Sequence, residues 1–120
     1  MQQQLTLPGL ALGCWPLAGM TRPGVTRQAA IETVAAAIDH GITHLDTAYC
    51  YGENGESEKA IAQAAQGRRN EVTIASKCGI HWQAGKKQTV DGRPETIIRE
   101  AKESLLRLQA DTIDLLYLHT

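Results

Sequence analysis

Four side chains able to move or hold a proton stand where three successive apolar runs end: Asp46 with Tyr51, then Lys77, then His119. A phenol ionises near pH 10 on its own, so it is a poor acid at neutral pH. A cation beside it stabilises the phenolate and makes proton release easier. Lys77 is such a cation, and Asp46 can hold it charged and aimed. A neutral His119 can hydrogen-bond a substrate oxygen and orient it. Together the four suit protonation of a carbonyl oxygen as charge builds on it. They offer no electrons, so the chemistry needs a hydride donor, for which a nicotinamide cofactor is the usual solution.

Something must bring these residues to one place. The runs Ile42–Asp46, Val72–Lys77 and Ile113–His119 each read as a strand buried on both faces, because they are near-continuously apolar. Each follows a helical stretch. The first helix is expected from Thr26, an N-cap type, to Gly41, with Ile31, Val34, Ala35 and Ile38 on its apolar face. The second is expected to begin near Asn54 or Ser57 and end at Gly67, with Ala60, Ile61, Ala64 and Ala65 inward. Pro94 opens a third, whose buried face should be Ile97, Ile98, Ala101, Leu105 and Leu108. Between the third strand and that helix, Gly79 to Gly92 reads as a polar loop. Pro8-Gly9, flanked by Leu5–Leu7 and Leu10–Leu12, suggests a short hairpin leading into the first strand.

Strand starts near residues 10, 42, 72 and 113 recur at the ~30-residue spacing of βαβ units. Ligands of parallel βα folds bind at the carboxyl ends of the strands, where the four residues stand. The two natural architectures are an open doubly wound sheet and a (β/α)8 barrel. A barrel needs eight strands and typically about 250 residues. The expectation is therefore an α/β fold of parallel type: the first four strands and three helices of a (β/α)8 barrel, residues 1–120 forming its N-terminal half.

The motifs narrow the reading. Asp46-Thr47-Ala48-Tyr49-Cys50-Tyr51-Gly52, with Glu53 and Glu56 behind it, resembles the D-T-A-x-x-Y-G motif of the aldo-keto reductase family. Ser76-Lys77 resembles the family's strand-end lysine. The stretch from Ser104 to His119, with Arg107, Leu108, Asp111, Ile113, Asp114 and Leu115 in place, resembles its third signature. Thr112 departs from a frequent Tyr, at a strand start away from the chemistry. The resemblance covers Leu12 to Thr120. It implies NADP(H)-dependent reduction of an aldehyde or ketone to an alcohol. It also implies that Tyr51 is the general acid, Lys77 its activating cation, Asp46 the partner of Lys77, and His119 the group that orients the carbonyl. Gly13, Trp15 and Asp46 are the implied cofactor contacts. Much of the family's cofactor grip comes from strands beyond these four, so the 120 residues alone are expected to be inactive. Two alternatives stand beside this one. One is a non-catalytic binding or regulatory protein on the same fold, like the family's channel β-subunits. The other is an inactive half-barrel that self-associates through its exposed sheet edges.

Other signals are bland. The 120 residues carry a formal net charge of −1, which argues against nucleic acid or an anionic membrane as partner. No apolar run approaches the roughly 20 residues of a membrane span, no signal segment is evident, and a cytoplasmic setting is expected. Cys14, Cys50 and Cys78 form no tight pair and no metal-ligand spacing, so no metal is expected. Cys78, beside Lys77, is a candidate reactive thiol. His44 and Tyr117 read as packing residues and Tyr49 as a rim tyrosine. Asp114 reads as a structural acceptor of backbone hydrogen bonds. Arg68-Arg69 and Lys86-Lys87 read as solvated loop charges.

Overall fold

The structure, a computed structural model, describes residues 4–120. Four strands, β1 (Ala11–Gly13), β2 (His44–Asp46), β3 (Thr73–Cys78) and β6 (Leu115–Leu118), lie side by side in that order. All three pairings are parallel. Helices α1 (Arg27–Asp39), α2 (Glu56–Ala64) and α3 (Pro94–Leu108) connect them. Among the described residues no helix is long and apolar enough to cross a membrane.

The helix ends follow local chemistry. Thr26 caps α1, its hydroxyl accepting from Ala29 N at 3.1 Å. Gly41, at φ +86°, turns the chain out of the helix. The Ile42 amide then donates to Ala37 O at 2.8 Å. That bond keeps Ile42 out of the sheet, so β2 begins two residues later than the apolar run suggests. Gly55 caps α2 in the left-handed region, and Pro94 opens α3 at a position that needs no amide donor.

The two faces of the sheet differ. Leu12, Leu45 and Ile74 point to the helices. There they join Val34, Ile38, Ile61, Ala65, Val72 and Leu108 in one core. Leu45, Ile61 and Ile74 are fully buried, and each contributes roughly 1.5–3 kcal/mol by leaving water. The strand register places His44, Asp46, Lys77 and Tyr117 on the opposite, concave face.

Three expectations need correction. No hairpin forms around Pro8-Gly9; among the described residues the first strand is β1. The stretch after β3 is an antiparallel hairpin, β4 (Ile80–Gln83) with β5 (Lys87–Val90), rather than a loop. Gly85 and Lys86, both at positive φ, make its turn. The polar composition hid the hairpin, but β-branched and aromatic residues flank a Gly-containing turn of three residues. Finally, the deepest positions of α3 are Thr96, Glu100, Ser104 and Leu108. Ile97, Ala101 and Leu105 are half-buried and Ile98 is 55% exposed. Glu100 is turned inward onto the Gly79 amide just past β3, and Thr96 onto Asp91.

Candidate active site

The site is built where the parallel ladder gives way to loops. Asp46 ends β2, and the chain then follows β3 for three more residues. Thr47 N donates to Ala75 O at 2.9 Å and Tyr49 N to Lys77 O at 3.0 Å. A turn closes with Tyr51 N on Ala48 O at 3.1 Å, which carries Tyr51 back over Lys77. Gly52 suits that turn because its φ of +93° is one that side chains strain against. Beneath the loop, Ser57 donates to Cys14 O at 3.1 Å and lies 2.8 Å from Thr47 Oγ1.

Lys77 is the centre of the arrangement. Its ammonium donates to Asp46 Oδ1 at 2.9 Å, to Thr47 O at 2.8 Å and to Tyr51 Oη at 3.1 Å. Its side chain is 15% exposed. Burial is the largest influence on it and acts to discharge it. The hydrogen bonds to Asp46 and Tyr51 together outweigh burial, and Lys77 holds its proton more firmly than an ordinary lysine. The amine also lies 4.7 Å from the centre of the Tyr51 ring. Trp15 meets that ring edge-on at 5.1 Å between centroids, and His119 meets it at 6.3 Å. The backbone of His119 is fixed by its own N–H on Cys78 O at 2.8 Å. Burial first, and the charge of Lys77 second, push the His119 pKa below the usual imidazole value, so the ring is neutral at pH 7.

The structure thus brings Asp46, Tyr51, Lys77 and His119 to one end of the sheet, with Trp15 against Tyr51 and Gly13 opposite Asp46 in the β1–β2 register. A Cβ placed on Gly13 would meet nothing within 4 Å, so the floor beside Asp46 is open.

Several secondary readings change. Tyr117 is not packing: it pairs with Lys77 across β3 and β6, lines the open hollow with His44 and Asp46, and is 44% exposed. Cys78 is not a reactive neighbour of Lys77. Successive strand residues point to opposite faces, so its thiol lies on the helix side and is fully buried. Burial, then Glu100 and Glu58, push that thiol up to about 12. Burial does the same to Cys14, up to about 12, and to Cys50, up to about 11. Asp114 does accept a backbone bond, from Ile74 N at 2.8 Å. Arg69, however, is no solvated charge. It donates to Asp114 Oδ2 and to Thr112 O, both at 2.8 Å, and ties β3 to the chain entering β6. Arg68 likewise pairs with Asp39 at 2.7 Å.

A layer of polar groups behind the site went unseen in the sequence. Glu58 and Glu100 are both fully buried. Glu58 accepts from Ser76 Oγ at 2.8 Å and faces Arg107 Nη1 at 3.4 Å. Glu100 accepts from Gly79 N at 2.7 Å and lies 2.9 Å from His81 Nδ1. Tyr49 donates to Glu103. The available signal was the four-residue spacing of Thr96, Glu100 and Ser104 along α3, which places all three on one helix face.

The sequence profile of the Aldo/keto reductase family matches residues 9–120. The chain is 38% identical over 112 residues to aldo-keto reductase YhdN of Bacillus subtilis, covering 92% of this chain and 33% of that protein. It is 34% identical over 127 residues to the NADH-specific methylglyoxal reductase of Escherichia coli, covering 96% of this chain and 39% of that one. The fold superposes on a Klebsiella pneumoniae aldo/keto reductase in complex with NADP and acetate with a TM-score of 0.72 at 31% identity, covering 94% of this chain and 35% of that structure. The chain therefore spans about a third of the length of these relatives. Its four parallel strands are those of half a (β/α)8 barrel. The chain belongs to the aldo/keto reductase family of oxidoreductases.

Proposed function

We propose that these residues form the acid–base site of an NADP(H)-dependent carbonyl reductase that converts a small aldehyde or ketone to its alcohol. The observation that carries the reading is how Lys77 uses its donors. An ammonium has three N–H groups, and Asp46, Thr47 and Tyr51 each accept one. Tyr51 Oη therefore accepts from a cation, and its own O–H is left to donate elsewhere. A carbonyl oxygen in front of it takes that proton, and the phenolate left behind rests against Lys77. General acid catalysis of this kind contributes about 10²–10⁴ in rate.

The other residues have matching tasks. Asp46 keeps Lys77 charged and aimed. Cys50 Sγ lies 3.7 Å from His119 Nδ1, and its thiol is protonated at neutral pH. A thiol proton directed at Nδ1 leaves Nε2–H to hydrogen-bond the carbonyl oxygen. The surroundings fit the reacting end of a nicotinamide: an open floor at Gly13, the flat Trp15 ring beside Tyr51, and Asp46 between them. Gly13, Trp15 and Asp46 are the residues that would hold it. A bound nicotinamide supplies the hydride that the protein's own side chains lack. Support for this cofactor class comes from the relatives, one named for NADH and one bound to NADP.

A second reading, self-association of the half-barrel, is favoured by exposed apolar side chains on the sheet and α3, with Leu118 63% and Leu106 79% exposed. One experiment separates the two. NADPH is titrated into the 120-residue chain, and into the same chain extended through the remaining four βα units of a barrel. Turnover of a small aldehyde is followed in both, with sedimentation at rising protein concentration. Binding and turnover only in the extended chain support the reductase site acting within a complete barrel. Tight binding by the short chain, together with size growing with concentration, supports self-association instead. Tight cofactor binding by the extended chain with no aldehyde turnover would overturn the reductase reading.

A further inference from the structure

On the helix side of the catalytic loop, a single arginine touches the backbone that carries Tyr51. Arg107, near the end of α3, has a mostly buried side chain, 18% exposed. Its Nη1 donates to Tyr49 O at 2.9 Å and faces Glu58 Oε2 at 3.4 Å. Its guanidinium lies over the Tyr49 ring, 4.2 Å from the centroid. The path of the side chain is kept open by Gly55, where a Cβ would stand 2.5 Å from both Cδ and Nε of Arg107. Glu58 is in turn held by Ser76, the residue before Lys77.

The consequence lies in the Tyr49 peptide. Its N–H donates to Lys77 O and its C=O accepts from Arg107, so both sides of the loop are tied at one residue. Two residues later, Tyr51 must reach Lys77 Nζ at 3.1 Å. We propose that Arg107 is a positioning residue for Tyr51: it fixes the Tyr49 carbonyl, and through it the turn that sets the phenol on Lys77. The proposal rests on the reductase reading for its effect on rate, but not for its effect on geometry. The simpler role is that Arg107 merely neutralises the buried carboxylate of Glu58.

The two roles separate in a set of three variants made in the complete barrel. Arg107→Met leaves Glu58 buried without its cation and should lower the melting temperature as well as turnover. Arg107→Lys keeps a charge for Glu58 but loses the planar fork that reaches Tyr49 O while lying over the ring. The double variant Arg107→Met with Glu58→Gln removes both charges, and such replacements are often neutral for stability. Positioning predicts that the double variant regains its melting temperature while kcat stays about a hundredfold low, the usual cost of an ångström-scale misplacement. It also predicts that KM for NADPH changes little, and that the NMR cross-peaks between the Tyr51 and Trp15 rings weaken in all three variants. Recovery of both melting temperature and kcat in the double variant would overturn the proposal. So would unchanged ring cross-peaks in Arg107→Lys. If the unmodified barrel turns over no aldehyde, the reductase reading falls, and the ring cross-peaks still decide whether Arg107 places Tyr51.

Discussion

The two faces of the four-stranded sheet obey different rules. On the helix side, Leu45, Ile61 and Ile74 are fully buried, and the acids found there, Glu58 and Glu100, are held by Ser76, Arg107 and Gly79. On the concave side, Asp46 is partly open and Lys77 is mostly covered but reaches the hollow, with Tyr117 and His44 beside them. One face uses burial to make the fold; the other gathers charge at an open hollow. The same strands serve both because successive residues alternate, so Ser76 and Cys78 face the helices while Lys77 between them faces the concave side.

The contrast can be broken first through stability. In the 120-residue chain, Ile61→Ala should cost about 2–5 kcal/mol, since it opens a cavity in a fully buried site. Tyr117→Ala, at a half-open position, should stay within about 1 kcal/mol. Urea midpoints for the two variants check this, and similar losses would mean that the concave face is packed after all.

A second contrast concerns the thiols. All three cysteines are buried, with pKa values pushed up to about 11 or 12. At pH 8 a thiol of pKa about 11 is roughly one part in a thousand thiolate, and the thiolate is the nucleophile. Iodoacetamide should therefore leave the folded chain unmodified on a timescale that alkylates all three cysteines in urea, as mass spectrometry would read. Rapid labelling of Cys78 alone would restore it as a neighbour of the Lys77 face.

The smallest effect sharpens the electrostatics of the concave face. His119 binds its proton less readily in the folded chain than in the unfolded one, because of burial and Lys77. Below the ordinary imidazole value of about 6.5, the unfolded state therefore holds more protons, and stability falls as pH falls. The contribution is fully present above that value. Urea midpoints between pH 7.5 and roughly 5 should drop less for His119→Gln than for the unmodified chain. An equal drop would mean that another group titrates.

The strands and the meeting of Asp46, Tyr51, Lys77 and His119 at one sheet end were legible because ionisable side chains interrupt apolar runs at their ends. Asp46, Lys77 and His119 each close a hydrophobic stretch. The loop motif around Tyr51 added the phenol. The interior of α3 was not legible. Ile97, Ile98 and Leu105 looked buried because apolar residues usually are, yet Glu100 is the residue turned inward, onto the Gly79 amide just past β3. The β4–β5 hairpin was hidden by its lysines and glutamines, which mark an exposed edge rather than a loop. Arg69 and Arg107 looked like solvated charges or motif letters, because their partners Asp114, Glu58 and the Tyr49 carbonyl lie more than forty residues away in sequence. Pairings of that kind appear only once the fold has brought the elements together.

That the Tyr51 hydroxyl delivers the proton is the step on which the proposed reaction turns. It is tested most directly by comparing Tyr51→Phe with the unmodified protein in the complete barrel, following nicotinamide oxidation with a small aldehyde at saturating NADPH. The variant should bind NADPH as before and lose turnover by about 10²–10⁴. Turnover within a few-fold of the unmodified protein, at equal cofactor binding, would contradict it and move the acid to another group on the concave face.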